Sequence, residues 1–170
     1  MVKLKGKWLR VLKILHLLGI ICWCGGCVVS LFIVSRLDAW PNKQSLLDIF
    51  NLLKWIDLSV IAMAAMFTVC IGLVYGIFTP WGFKKTRWIA VKWLLSLAII
   101  ISGTALYVPL LEQMQGLIAL QGALAVTAAE FRTALSALSA LLFCHLSAMV
   151  LMVVISVLRP RLKTKNRQTF

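Results

Sequence analysis

A chain of 170 residues of which 62% are hydrophobic lies outside the range of soluble domains, whose apolar usage is about half. The net charge of +13 does not point to nucleic acid, because the lysines and arginines flank apolar runs, where they anchor to anionic headgroups. Four spans, 11–34, 55–78, 88–111 and 134–158, are each long enough at about 1.5 Å per residue to cross a core of about 30 Å, and they leave no room for a separate soluble domain.

The first span follows Lys3, Lys5, Lys7, Arg10 and Lys13. It is too long for a signal-peptide core and no small-x-small cleavage site follows it, so it reads as a retained helix. His16 falls about five residues inside it, roughly 8 to 10 Å below the near surface. An ionisable group at that depth is costly and is a functional candidate for that reason. On a helical wheel His16, Gly19, Trp23, Gly26, Cys27 and Ser30 form one stripe of small, polar and aromatic residues, while leucine and isoleucine fill most of the rest. This stripe is expected to face protein or a cofactor, with the glycines allowing close helix approach.

The run "CWCGGC", residues 22–27, looks like a metal trap until its faces are compared. With His16 at zero, Cys27 falls near 20°, Cys24 near 80° and Cys22 near −120°, so one tetrahedral metal cannot collect all three from an unbroken helix. Unpaired cysteine in a helix is more often a small buried hydrophobe. Cys24 and Cys27 remain as two ligands of a Cu(I) site.

The second span ends at "FTPWGFKK", where Pro80 and Gly82 stop the helix ahead of basic residues, and "GLVYG" within it offers Gly72 and Gly76 as a second small-residue surface. The third span carries Lys92 about four residues from its start, at a depth similar to that of His16. Its long stem can snorkel to the headgroups, which weighs against a role in chemistry. The connection "EQMQGLIALQGALAVTAAE" is rich in Ala, Leu and Gln and is too apolar for a loose tether, so it is read as extending the flanking helices or lying at the interface. The fourth span holds His145 near mid-membrane, then Met149, Met152 and Ser156, and the tail "RPRLKTKNRQTF" is polar and basic.

Fourteen basic and no acidic residues lie in the amino terminus, the link between spans two and three, and the tail, whereas the other two connections hold all five acidic residues, among them Asp57 and Glu112. The positive-inside rule then places both termini in the cytoplasm. Trp8, Trp40, Trp55, Trp81 and Trp88 fall at the expected interfaces. The fold expected is all-α, a single antiparallel four-helix transmembrane bundle over 1–170.

His16 and His145 differ in depth by about 10 Å on straight helices, which disfavours a bis-histidine haem lying between them. Met152 reaches the depth of His16, so His16 with Met152 is the better-matched axial pair, with His145 as the alternative. Methionine as apolar filling is the simpler reading.

The stretch "LKILHLLGIICWCGGCVVSLF" resembles the first helix of a broad group of small membrane proteins that includes HemJ-type protoporphyrinogen oxidases and the copper-resistance D membrane domain. The residues carrying the likeness are Leu15, His16, Trp23, Gly25 and Gly26, and "RWIAVKWLLSL" adds Trp88 and Lys92, which look like the lysine-bearing helix of the HemJ type. The run "FTPWGFKKTRWIAVKW" is similar to an uncharacterised bacterial family of four-helix membrane proteins. The resemblance implies haem b bound at His16, a functional role for Lys92, and a bacterial cytoplasmic (inner) membrane. No further HemJ-like motif follows the third helix, and the copper group's other ligands have no clear match.

Three functions therefore stand side by side. A haem or tetrapyrrole protein, redox-active or not, uses the His16 stripe, Lys92 and the basic rim. A protein handling Cu(I) or another soft metal uses the five cysteines and six methionines. A scaffold, working as a homo-oligomer or with a partner membrane protein, needs only the small-residue stripes.

Overall fold

The computed structural model describes residues 6–37, 42–78 and 87–158; Trp40, Pro80, Trp81, Gly82 and the basic tail lie outside them. Among the described residues all regular structure is helical, and four helices are long and apolar enough to cross a membrane. The first is α1, Gly6–Val34. The second runs through α2 (Lys43–Ile56), a π-helical segment (Asp57–Ala62) and α3 (Met63–Phe78) without interruption. The third joins α4 (Arg87–Ser102), a second π-helical segment (Gly103–Tyr107), α5 (Val108–Gln121) and a 3-10 turn (Gly122–Thr127). The fourth is α6, Ala129–Leu158. The protein is a multi-pass membrane protein folded as a four-helix bundle.

The second helix is longer than the sequence suggested, beginning at Lys43, twelve residues before the expected start. The third carries on through the Ala/Leu/Gln-rich connection, one of the two readings the sequence offered for that stretch. At about 1.5 Å per residue, the 36 residues of the second helix and the 40 of the third exceed a core of about 30 Å, so both project beyond it at the end away from the chain termini. We call that end distal and the other terminal. Asn42 starts the distal extension, its side-chain oxygen accepting from the Ser45 N–H at 2.8 Å. Leu46, Ile49, Phe50, Leu53 and Ile56 then repeat at helical spacing and are all buried. Gly122, at φ 67°, ends α5 where a side chain would be strained.

The extension has a core of its own. Phe50 and Phe131 meet edge to face at 6.2 Å between centroids, among fully buried Leu46, Leu53, Leu111, Met114, Ile118 and Leu138. Its exterior is mixed: Gln115 donates to Asn51 at 2.9 Å, Gln44 to Asp48 at 2.9 Å, and Lys54 pairs with Glu112 at 3.5 Å, while Trp55, Leu120 and Leu124 are exposed.

Toward the terminal end the exterior is apolar, with Ile21, Phe32, Leu58, Met66, Leu94, Ile101 and Phe143 all exposed, as lipid-facing residues should be. Within, a small cluster of Trp23, Cys27, Ala64, Ala65, Ile99 and Met149 joins α1, α3, α4 and α6. The α1 stripe faces inward as expected, since Gly19, Trp23, Gly26, Cys27 and Ser30 are buried and His16 is half-buried. A Cβ on Gly26 would lie 2.6 Å from Ile61 Cγ1, and one on Gly19 would collide with Thr68 Oγ1. Only glycine lets the second helix pass this close to α1.

Candidate functional site

The terminal half places His16, Thr68, Gly72 and Lys92 in one layer. The α1 stripe turns the His16 ring toward α3, where it lies edge-on to Tyr75 at 6.4 Å between centroids. Its Cε1 would be 3.9 Å from a Cβ on Gly72, beside the Trp93 ring. His16 Nδ1 is buried without a hydrogen-bond partner, and so is Thr68 Oγ1. The Thr68 backbone lies beside the ring.

Lys92 is the chain neighbour of Trp93, whose ring faces Gly72 together with the His16 ring. The lysine Nζ donates to Ser156 Oγ at 2.7 Å and sits 5.8 Å from the centre of the Trp88 ring. Ser156 in turn donates to the Met152 carbonyl at 2.6 Å. Among the described residues the one ion pair is Lys54 with Glu112, so the Lys92 ammonium is held by a neutral hydroxyl and an aromatic face with no carboxylate on it. Lys92 does not simply snorkel away from the bundle.

The other sequence candidates fall elsewhere or are engaged. Met152 lies one turn from Ser156, and its sulfur accepts from Ser96 Oγ at 3.4 Å. His145 is seven residues back along α6, about 10 Å deeper. It is 7% exposed, and its Nε2 is 2.8 Å from Ser102 Oγ. Ser102 uses its own proton on the Ala98 carbonyl at 2.7 Å, which assigns the proton of the shared bond to His145 Nε2. His16 and Trp93, the neighbour of Lys92, thus meet at Gly72, whereas His145 lies in a separate layer beside Gly103.

The cysteines are all free. Cys22 is exposed, Cys24 half-buried and Cys27 buried, matching their separation on the wheel. Among the described residues no three His, Cys, Asp or Glu side chains cluster closely enough to hold a metal ion.

One group went unnoticed in the sequence. Asp57, counted there with a polar connection, opens the π-helical segment inside the second long helix, and Tyr107 closes the other π-helical segment. Ser30 of α1 and Tyr107 are both buried, at 0% and 2% exposed, and Asp57 is half-buried. The available signal was the single acid in "WIDLSVIAM", an apolar run that carries on past it.

Neither a family model, nor a curated protein, nor a solved structure matches the chain. The likeness to HemJ-type oxidases and the copper-resistance D domain rests on the first- and third-helix residues alone.

Proposed function

We propose that this protein binds haem b, or a closely related tetrapyrrole, in the terminal half of its bundle, with His16 as an axial ligand and Lys92 as the countercharge for an anionic group. One observation carries this reading. His16 keeps a buried nitrogen without a partner, whereas His145, Met152 and Lys92 are all hydrogen-bonded. A buried imidazole nitrogen with nothing to bond is costly, and ligation to a metal removes that cost. Haem supplies one-electron exchange at its iron.

The residues around His16 fit such a group in chemistry. Gly19 and Gly72 contribute no side chain of their own beside the ring, and Trp93 and Tyr75 give it aromatic neighbours. Lys92, lacking a carboxylate, is suited to a propionate or an anionic substrate and would exchange its Ser156 bond for a charged one. His145, fixed by Ser102, and Met152, holding Ser96, would have to give up those bonds to act as a second axial ligand.

The test is the absorption spectrum of protein purified from cells supplied with a haem precursor, with metal analysis of the same sample. Wild type should show a Soret band, and His16→Ala should lose it at equal recovery of folded protein. Lys92→Ala should keep the band and lose affinity for anionic ligands. Wild type without haem, or His16→Ala with an unchanged spectrum, refutes the assignment. Stoichiometric copper without haem moves the reading to Cys24 and Cys27.

A further inference from the structure

We infer that His145 is a positioning residue: through its bond to Ser102 it fixes the rotation of α4 against α6 and so keeps Lys92 turned into the bundle. Its bearing on an anionic ligand rests on the role proposed for Lys92, whereas the rotation itself is a property of the chain and is read with no ligand bound.

Three polar contacts tie α4 to α6. Lys92 Nζ reaches Ser156 Oγ at 2.7 Å, Ser96 Oγ reaches the Met152 sulfur at 3.4 Å, and Ser102 Oγ meets His145 Nε2 at 2.8 Å. The first two fix little. A lysine stem reaches one acceptor from many backbone positions, and a thioether is a weak acceptor on a flexible side chain. Ser102 and His145 are short, the histidine is 7% exposed, and its ring lies against Gly103, where a Cβ would sit 3.9 Å from Cε1. This pair leaves α4 little freedom to turn. Apolar packing adds little to that hold, since among the described side chains of α4 Ile99 alone is buried.

The π-helical segment that starts at Gly103 shows why α4 needs a hold. Taken at about 100° per residue with Lys92 at zero, Ser96, Ile99 and Ser102 fall between about −80° and 40°, whereas Tyr107, Leu111, Met114 and Ile118 fall between about 40° and 100°. The inward faces of α4 and α5 are thus out of phase by roughly 85°, close to one residue of an α-helix. A π-helical turn takes up one residue more than an α-helical one, and this segment absorbs the offset. Such segments are rare, and this one persists because both of its ends are held. The distal core holds α5, where Leu111, Met114 and Ile118 are 0% exposed. His145 holds α4. Without its bond the third helix relaxes to α-helix and α4 turns by about one residue, which carries Lys92 off Ser156 and brings Trp93 inward.

The experiment is footprinting of the full-length protein in lipid vesicles with a lipid-soluble diazirine, which on illumination labels the side chains facing the acyl chains and is read residue by residue by mass spectrometry. In wild type, Ile100 should carry more label than Ile99, which is 5% exposed. In His145→Leu and in Ser102→Ala the two should exchange, each changing by roughly twofold or more, as a turn of about 100° requires. His145→Gln, whose amide N–H stands where Nε2–H stood, should keep the wild-type pattern. A wild-type footprint in both His145→Leu and Ser102→Ala overturns the assignment. So does label rising at both isoleucines together, the mark of mere loosening, or a His145→Gln pattern like that of His145→Leu. Ser102→Ala removes a single oxygen and decides the matter if the histidine variants do not fold.

Discussion

In the distal half of the bundle Phe50, Leu111, Ile118 and Leu138 are completely buried behind Gln44, Asp48, Asn51 and Glu112. In the terminal half the outside is Ile21, Phe67, Leu94 and Val153, while His16, Thr68, Lys92 and Ser156 are turned between helices. The first arrangement is that of a water-soluble helical core, held by removal of apolar surface from water. The second gains little from that effect, because lipid is as apolar as a leucine side chain, and it relies on close packing at small residues and on interhelical hydrogen bonds. Polar side chains nevertheless lie between the helices of that half, and the His16 layer is among them.

The contrast should show most strongly in large-to-small substitution. Phe50→Ala removes a fully buried ring that packs on Phe131, and should cost about 3–5 kcal/mol in reversible unfolding in detergent. A loss below about 1 kcal/mol would mean that the distal core is not a packed one. In the terminal half the sensitive direction is the opposite. Gly26→Ala drives a methyl toward Ile61 and should cost about 1–3 kcal/mol, while its neighbour Gly25→Ala, with nothing within 4 Å, should stay within about 0.5 kcal/mol of wild type. Equal costs at the two glycines would sink the close-approach account. The smallest effect is expected at Thr68→Val, which replaces an unpartnered buried hydroxyl by a methyl of similar shape. Stability should be unchanged or higher by up to about 1 kcal/mol, since nothing bonded is lost. A clear destabilisation would reveal a partner for Thr68 and weaken the view of the His16 layer as a site prepared for a ligand.

The terminal half was largely legible in the sequence. The α1 stripe stood out because glycine, serine, histidine and tryptophan recur at helical spacing among leucine and isoleucine, and residue counts from the basic flanks put His16 and Lys92 at one depth. The distal half was legible only on the side of the Ala/Leu/Gln-rich connection, which read as a helix extension or an interfacial helix. In 43–56 the outer face is polar, so hydropathy falls and the run looks like a connection, although its inner face is as regular as that of a soluble helix. Asp57 was misplaced for the same reason: a charge at the edge of an apolar run reads as the edge of the membrane. Tyr107 carried no sign of its burial, a matter of tertiary packing that local pattern does not encode.

The π-helical segments have a consequence for which changes of length the chain tolerates. In a helix every residue advances the phase by about 100°, so a single deletion in α3 would rotate all that follows and turn Thr68 or Ile71 out of the bundle. Residues 57–62 are wound with i→i+5 bonds, which take up one residue more than an α-helix needs. Losing one residue from that stretch lets it relax to α-helix with the faces on either side preserved. At this one place in the second long helix, the reading frame of the helix faces and the number of residues are uncoupled, and Asp57 sits at the joint.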